Sequence, residues 1–552
     1  MIADIHITEK SFGDKTLMKD VKFSVDDGEK VGVVGRNGVG KSTLFGILSG
    51  KDTDYTGEVI FRRGITVATT AQEHHGLGDQ TVMSYILGGL PEYSKLKKII
   101  DEYPLTMGDN MRKIEEYTQA LERFDQKGFY QVEEKIEREL SNFQLDGFGD
   151  RKISSLSGGQ KRLVEIVKIM HSEAHLALID EPTNHMDYVA KQQFIDWMNS
   201  QPHQAMLIIT HDRDVLGQVD RIVEIKDGQA VSYRGNYDAY LKQNAQATTA
   251  GMNNFEQIEK RIVNLKQKVL DYQRLKEKSR NPGTIQKFKR LENEARAELE
   301  ELSEMEKPTF WIDKESASQL DYKSAERYGK FKSRNIRLSM KDASSRSQHV
   351  LVRAENVAVG IGERILFEDV NIDLREGEAI EIRGRNGAGK TTLIRMILAS
   401  GKSFDNGPIL YSGDIFLDPQ VRIGVYEQEI DEKYLADPLE KAIEKLYMSR
   451  DLSISDTKIR QLLADYLFTD ADRMTPLARL SGGQKARFQI IAMLANDPQL
   501  LILDEPTNHL DLPSIEELET ALAKYSGAIL YVSHDNYFRE KLGGKVVQIG
   551  AE

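Results

Sequence analysis

One ordered set of loop motifs runs through this chain twice, with its members 323 to 356 residues apart. A chain that repeats such a set is expected to fold into two like domains. The first copy reads Gly35, Asn37, Gly38, Gly40, Lys41, Ser42 and Thr43 in a glycine-rich loop. It continues with Gln72, then Leu156-Ser157-Gly158-Gly159-Gln160, then the apolar run Leu176 to Ile179 ending in Asp180 and Glu181, then His211. The second reads Gly384, Asn386, Gly387, Gly389, Lys390, Thr391 and Thr392, then Gln428, Leu480-Ser481-Gly482-Gly483-Gln484, Leu500 to Leu503 with Asp504 and Glu505, and His534. A lone glycine-rich loop of this kind is moderately specific. Five elements in one order, twice, are beyond coincidence and imply two cassettes that bind and hydrolyse ATP.

The chemistry needs these residue types at these spacings. Each glycine-rich loop lies between an apolar strand (Val31 to Val34; Ala379 to Ile382) and a predicted helix. Glycines let backbone N–H groups wrap phosphates, and a helix N-terminus favours the negative charge. Lys41 and Lys390 are placed to reach the β- and γ-phosphates, and Ser42 and Thr391 to ligate Mg²⁺. Asp180 and Asp504 end apolar strands, where a carboxylate can hold the metal through water. Glu181 and Glu505 follow directly and are the candidates for polarising the attacking water.

Between the cassettes, residues 245–345 stand outside the repeat. Phe255, Ile258, Ile262, Leu265, Val269 and Tyr272 follow the alternating three-and-four spacing of a coiled-coil seam. Asn281-Pro-Gly283 breaks the helix, and Thr284 is placed to cap a second one carrying Ile285, Phe288, Leu291, Ala295, Leu299 and Leu302. Two antiparallel helices of some 25 residues would project about 35–40 Å. Seven basic residues (Arg274, Lys276, Lys278, Arg280, Lys287, Lys289, Arg290) crowd the predicted tip against Glu277 alone, and glutamates dominate from Glu292 to Glu306. Positive charge sorted to a tip points to a phosphate backbone. A second basic stretch (Lys323, Arg327, Lys330, Lys332, Arg334, Arg337) interleaves with Tyr322, Tyr328 and Phe331.

The first cassette (1–244) also carries about 32 more residues between its glutamine and its Leu-Ser-Gly-Gly-Gln element than the second cassette (346–552) does. The excess falls in about 85–145, a charged, helix-prone stretch read as an inserted arm. The fold class expected is α/β: two P-loop cassettes in tandem joined by an α-helical hairpin.

Gln72 and Gln428, the two Leu-Ser-Gly-Gly-Gln elements and His211 and His534 resemble the Q-loops, signatures and switch histidines of ATP-binding cassette ATPases. That resemblance implies composite sites: Lys41, Asp180 and Glu181 completed by Ser481 and Gly483, and Lys390, Asp504 and Glu505 completed by Ser157 and Gly159. It also implies metal contact by Gln72 and Gln428. The repeated Asp-Glu-Pro-Thr-Asn-His-(Met/Leu)-Asp at 180–187 and 504–511, the stretch Tyr233 to Tyr240 and the basic hairpin are similar to the F subfamily (ABC-F) over essentially the whole chain. Members of that subfamily are soluble, ribosome-associated ATPases. Their linker reaches toward P-site tRNA and the peptidyl-transferase centre, and some members dislodge antibiotics. The resemblance therefore implies ATP and Mg²⁺ as ligands, the ribosome (rRNA and P-site tRNA) as partner, a cytoplasmic location, and a monomer with intramolecular cassette pairing. Two departures stand out. Phe12 can stack on adenine where its counterpart Ile361 offers only apolar contact, which predicts unequal sites. The chain also stops soon after His534, without the C-terminal coiled coil of some relatives.

Composition separates the competing readings. The chain has 552 residues with 40% hydrophobic and 29% charged, a soluble balance. No apolar run approaches the roughly 18 residues that span a bilayer, and the N-terminus lacks a secretory signal. The net charge of −12 argues against indiscriminate coating of nucleic acid. Zero cysteines exclude cysteine-ligated iron–sulfur clusters, and with them a ribosome-recycling cassette protein. The tandem ATPase subunit of a membrane importer shares the cassettes but has no use for a basic hairpin. Housekeeping or stall relief is favoured over antibiotic protection, because the tip breaks at Asn281-Pro-Gly283 without a long apolar loop.

Overall fold

The computed structural model describes the chain except residues 14, 71–78, 107, 109, 185, 305–309, 319, 321, 334, 339–348, 403–406, 428–429 and 551–552. Its contacts divide it into two units: Met1–Tyr237 with Ile336–Glu552, and Asp238–Asn335. Both cassettes lie in the first unit.

The cassettes are built alike. In the first, a mainly parallel sheet has the order Val67–Thr69, Leu176–Asp180, Ala205–Ile209, Lys30–Gly35, Arg221–Lys226, Gln229–Arg234, with only the last pair antiparallel. In the second, the order is Ile423–Tyr426, Leu500–Asp504, Ala528–Val532, Ala379–Arg383, Lys545–Gln548. The short apolar runs fall in the middle of these sheets because a parallel strand is covered on both faces and tolerates no polar alternation. Every residue of Leu176–Asp180, Ala205–Ile209, Leu500–Asp504 and Ala528–Val532 is buried. Asp180 pairs in register with Ile209, and Asp504 with Val532, so both carboxylates leave the sheet at its C-terminal edge.

A three-stranded antiparallel sheet flanks each core, Lys15–Val25, Ala3–Phe12, Thr56–Phe61 in one and Arg364–Arg375, Val350–Ile361, Pro408–Leu417 in the other. Phe12 sits opposite Lys15, and Ile361 opposite Arg364, the last pair of each hairpin.

The insertion is helical, with Tyr93–Thr106, Met111–Gln126 and Val132–Asn142. Its base is a packed core in which Tyr93, Phe124 and Phe129 meet edge-on or tilted, with ring centres 5.3–5.6 Å apart. Leu105 and Met111 are exposed toward its outer end. Among the described residues no helix is long and apolar enough to cross a membrane.

In the second unit, helix Tyr237–Lys278 continues from the first cassette and faces helix Pro282–Glu304, which at 23 residues is about 35 Å long. Leu265, Val269 and Ala295 are the buried centre of the seam, with Tyr272, Leu299 and Leu302 beside them. Phe255 belongs to a separate cluster with Met252, Ile312, Tyr328 and Phe331. The cap at the tip differs from the sequence expectation. Asn281, not Thr284, occupies it: its Oδ1 accepts the Gly283 N–H at 2.9 Å, and Pro282 takes the first helical position, where its missing N–H costs nothing. The turn is residues 279–281 alone.

Candidate nucleotide sites at the cassette interface

Each phosphate loop ends in a glycine that the geometry requires. Gly40 and Gly389 have φ of 102° and 97°, left-handed conformations that start the following helices. A side-chain carbon at Gly389 would also stand 2.9 Å from the Phe367 ring. Lys41 Nζ donates to the carbonyls of Gly35 (2.6 Å) and Arg36 (3.2 Å), and Lys390 Nζ repeats this with Gly384 (2.9 Å) and Arg385 (3.0 Å). Burial lowers the pKa of both lysines, and the nearby carboxylates work against it. Ser42 Oγ donates to Asp180 Oδ2 at 3.1 Å, and Thr391 Oγ1 to Asp504 Oδ2 at 2.7 Å. A hydroxyl and a carboxylate side by side are hard oxygen donors. They suit Mg²⁺, which takes one or two protein oxygens and shares the rest with phosphate and water. Among the described residues no group of three or more His, Cys, Asp or Glu could hold a metal by itself.

The catalytic candidates take an uncommon backbone. Glu181 and Glu505 have φ of 47° and 51°, in the left-handed region that costs a non-glycine residue about 1–2 kcal/mol. Each follows its strand into a tight turn, donating its N–H to Ile209 O (2.8 Å) or Val532 O (3.0 Å). The turn aims each carboxylate at its switch histidine. His534 Nε2 is 3.3 Å from Glu505 Oε1, and His211 Nε2 is 3.7 Å from Glu181 Oε1, in neither case aligned as a hydrogen bond. The His534 N–H does donate to Glu505 Oε2 at 3.1 Å. Burial pushes Glu181 up to about 8, with Lys41 opposing, and Glu505 up to about 7, with Lys390 opposing. Burial, helped by the adjacent lysines, presses His211 and His534 down to about 3, so both rings are neutral at pH 7.

Ser157 and Ser481 cap the helices Gly158–His171 and Gly482–Leu494. Each hydroxyl accepts the N–H of Gln160 or Gln484 at 3.3 Å, which leaves its own proton free to point outward. The glutamine side chains turn back to the serine N–H groups at 3.0 and 2.9 Å, and Gln484 also donates to Asp472. Those two side chains, expected at the nucleotide, are therefore engaged in capping boxes. Among the described residues, Ser481, Gly482, Gly483 and His509 share one cleft of about 390 Å³ with Asn37, Lys41, Ser42, Thr43, Asp180, Glu181 and His211. Gly483 lets the Asn37 side chain approach closely there, since a side-chain carbon would fall 2.0 Å from Asn37 Nδ2 and displace it.

Two aspartates that sequence reasoning quoted without a role tie the cassettes together. The Asn37 N–H donates to Asp511 Oδ2 at 3.1 Å, and the Asn386 N–H to Asp187 Oδ2 at 3.0 Å. Asn37 Nδ2 also donates to the His509 carbonyl at 2.9 Å. Asp187 and Asp511 at the same time cap the helices Tyr188–Ser200 and Leu512–Ala523. The signal was the second aspartate of each Asp-Glu-Pro-Thr-Asn-His-x-Asp run, which local pattern alone does not assign across 474 or 199 residues of chain. Gln72, Gln428 and His185 lie outside the described residues.

Phe12 is exposed, with Lys10 Nζ 4.7 Å from its ring centre; Ile361 is similarly exposed. Tyr233, Tyr237 and Tyr240 are buried, as packing residues. At the hairpin tip Arg274, Lys278, Arg280, Lys287, Lys289 and Arg290 are exposed. Arg290 pairs along its own helix with Glu294. Lys276 is held by Glu292 at 2.5 Å, which also takes Arg296; these hydrogen bonds draw Glu292 down to about 2. In the second basic stretch Tyr328 and Phe331 are buried in a small core, and Tyr328 Oη accepts the Ile312 N–H at 2.9 Å.

Paired P-loop sheets, with the second signature meeting the first phosphate loop across an interface and Asp187 meeting the second loop, define a tandem ATP-hydrolysing cassette protein. The family model described as ABC transporter matches residues 18–184 and 367–508, and the chain belongs to this ATP-binding cassette family, within its F subfamily. YdiF of Bacillus subtilis is 30% identical over 100% of this chain and 80% of its own length. The Energy-dependent translational throttle protein EttA of Mycobacterium tuberculosis is 27% identical over 96% of this chain and 88% of its own. The Ribosome protection protein VmlR of Bacillus subtilis is 27% identical over 96% and 83%. In fold the chain is similar to the RNase-L Inhibitor, with a TM-score of 0.57 at 17% identity over 99% of this chain and 88% of that one.

Proposed function

We propose that this chain is a cytoplasmic, ribosome-associated ATPase whose ATP-bound, closed cassettes present the basic hairpin to RNA beside P-site tRNA and the peptidyl-transferase centre. The observation that carries this reading is the tip: six exposed cations around a three-residue turn, on a chain whose net charge is −12. Such local concentration binds a phosphate backbone by counterion release, whereas the body of the protein repels it. The names of EttA and VmlR, a translational throttle and a ribosome protection protein, agree with it.

In this reading Lys41 and Lys390 hold the β- and γ-phosphates. Ser42 with Asp180, and Thr391 with Asp504, would hold Mg²⁺, alongside Gln72 and Gln428. Mg²⁺ supplies positive charge where negative charge gathers on the phosphate oxygens. Glu181 and Glu505 orient the attacking water and accept its proton as the bond to the β–γ bridging oxygen breaks. The neutral His211 and His534 donate toward the γ-phosphate. Ser481 with Gly483, and Ser157 with Gly159, offer a hydroxyl and helix N-terminal N–H groups from the opposite cassette. ATP then joins the cassettes, and hydrolysis releases them.

Reversing Lys287, Lys289 and Arg290 to Glu in the Glu181→Gln/Glu505→Gln background tests the RNA reading. Pelleting across a salt series is expected to show weaker ribosome binding with a shallower salt slope and unchanged ATP affinity. Unchanged binding at every salt would overturn it. Because the tip turn is only three residues, a role in translation itself is favoured over drug protection. Drug sensitivity of a susceptible bacterium expressing the chain separates the two: resistance to drugs of the peptidyl-transferase centre would reverse that preference.

A further inference from the structure

Between the two sites lies a buried cation that the repeat does not duplicate. Lys191 stands four residues past the helix-capping Asp187, and its counterpart, four past Asp511, is Ile515. Both are buried. Lys191 Nζ contacts Asp214 Oδ2 at 2.5 Å and Asp212 Oδ2 at 3.4 Å, residues of the switch segment that begins at His211 and enters the short helix Arg213–Leu216. The same Nζ donates to the His534 carbonyl at 2.8 Å, in the switch loop of the other cassette. Asn536 Nδ2, two residues past His534, donates to Asp214 Oδ2 at 2.8 Å and adds a second stitch. Glu181, His211, Glu505 and His534 line one small chamber of about 70 Å³ together with Lys191 and Ile515. Burial works against the charge of Lys191, but Asp212 and Asp214 outweigh it and hold the ammonium protonated.

A buried ammonium keeps its position only while its acceptors surround it, because an unmatched buried charge is strongly unfavourable. Movement of either switch loop therefore disturbs the acceptors on the other. We propose that Lys191 is a positioning residue that ties the two switch loops together, so that the two ATP sites turn over as a coupled pair. Ile515 cannot do this from the opposite side, so the buried cation of the tie comes from the first cassette. The inference rests on the assignment of Glu181 and Glu505 to two hydrolytic sites.

The test is the fraction of steady-state ATPase that survives when one site is blocked. In the wild-type background, Glu181→Gln or Glu505→Gln alone is expected to leave well under half of the activity, because the blocked site arrests its neighbour. In Lys191→Met each single Gln variant is expected to leave about half of that variant's own rate, and Lys191→Arg is expected to restore coupling. Asn536→Ala, a change at an exposed residue, is expected to move the fraction partway in the same direction, and it carries the test if Lys191→Met does not fold by thermal melt. Residual fractions that are the same with and without the lysine, and unmoved by Asn536→Ala, would overturn the proposal, as would half-activity in the wild-type background. If instead the Glu181→Gln/Glu505→Gln double variant hydrolyses ATP normally, the site assignment itself fails.

Discussion

Two ATP sites in one chain share their backbone almost residue for residue, yet their surroundings differ. Both glutamates sit in left-handed turns, both lysines fold onto the same loop carbonyls, and both hydroxyls bond the strand-end aspartate. Around that frame, Glu505 is held closer to its histidine (3.3 against 3.7 Å). The exposed residue that closes the first hairpin of each flanking sheet is aromatic in one cassette (Phe12) and aliphatic in the other (Ile361). Geometry at the phosphates is fixed by chemistry that both sites need. The periphery is free to diverge, and there one site can be made tighter, slower or subordinate.

The largest effect expected is at the shared frame. Glu181→Gln with Glu505→Gln is expected to keep ATP binding and lower turnover about 10²–10⁴-fold, the usual worth of a positioned base. Sucrose gradients with ATP should then show the variant accumulating on ribosomes. Equal occupancy with wild type would count against ATP-gated binding.

The cross-cassette aspartates come next. Asp511→Ala and Asp187→Ala each remove a buried carboxylate that bonds the opposite phosphate loop and caps its own helix. Losing a charge-assisted hydrogen bond costs about 1.5–3 kcal/mol, or roughly a tenfold to hundredfold fall in the closed population. Distance-sensitive fluorescence between labels on the two cassettes measures this. No change in closure for either variant would remove them as connectors.

A pH profile separates the two bases. A carboxyl must be ionised to accept a proton, so a raised pKa means activity is present above that pKa and lost as pH falls through it. With Glu505 near 7 and Glu181 near 8, the site left active in Glu181→Gln should lose activity about one pH unit lower than the site left in Glu505→Gln. Below both values that is up to about a tenfold difference in rate. Coincident profiles would show the two environments to be equivalent.

The smallest effect belongs to the base. Phe12→Ile should weaken, and Ile361→Phe strengthen, nucleotide affinity about threefold to tenfold, from stacking worth about 0.5–1.5 kcal/mol. Titration of single-site variants (Lys390→Ala or Lys41→Ala) with a fluorescent ATP analogue reads it directly. A tighter second site would reverse the order of the pair.

Much of this was legible in the residues because it is local. A glycine loop before a helix, a fully apolar five-residue strand and a serine three residues before a glutamine each carry their structure within a few positions. The cap at Asn281 was missed because Thr284 also satisfies the pattern, and only the backbone shows that Pro282 already starts the helix. Lys276 reads as a free cation until the antiparallel helix brings Glu292 beside it. Tyr328 and Phe331 read only as aromatics interleaved with a basic stretch until they are seen folded into a small core. Asp187, Asp511 and Lys191 act across hundreds of residues, where neither spacing nor periodicity carries information.

The left-handed turns at Glu181 and Glu505 set a limit on how this protein can be improved. Asparagine and glycine adopt that backbone more readily than glutamate, and neither would bury a long carboxyl group. A search for heat resistance, by selection or by design, would therefore favour replacing these two residues early. The hardier molecule would still fold, and on the proposed mechanism it would still close on ATP but no longer hydrolyse it to open again.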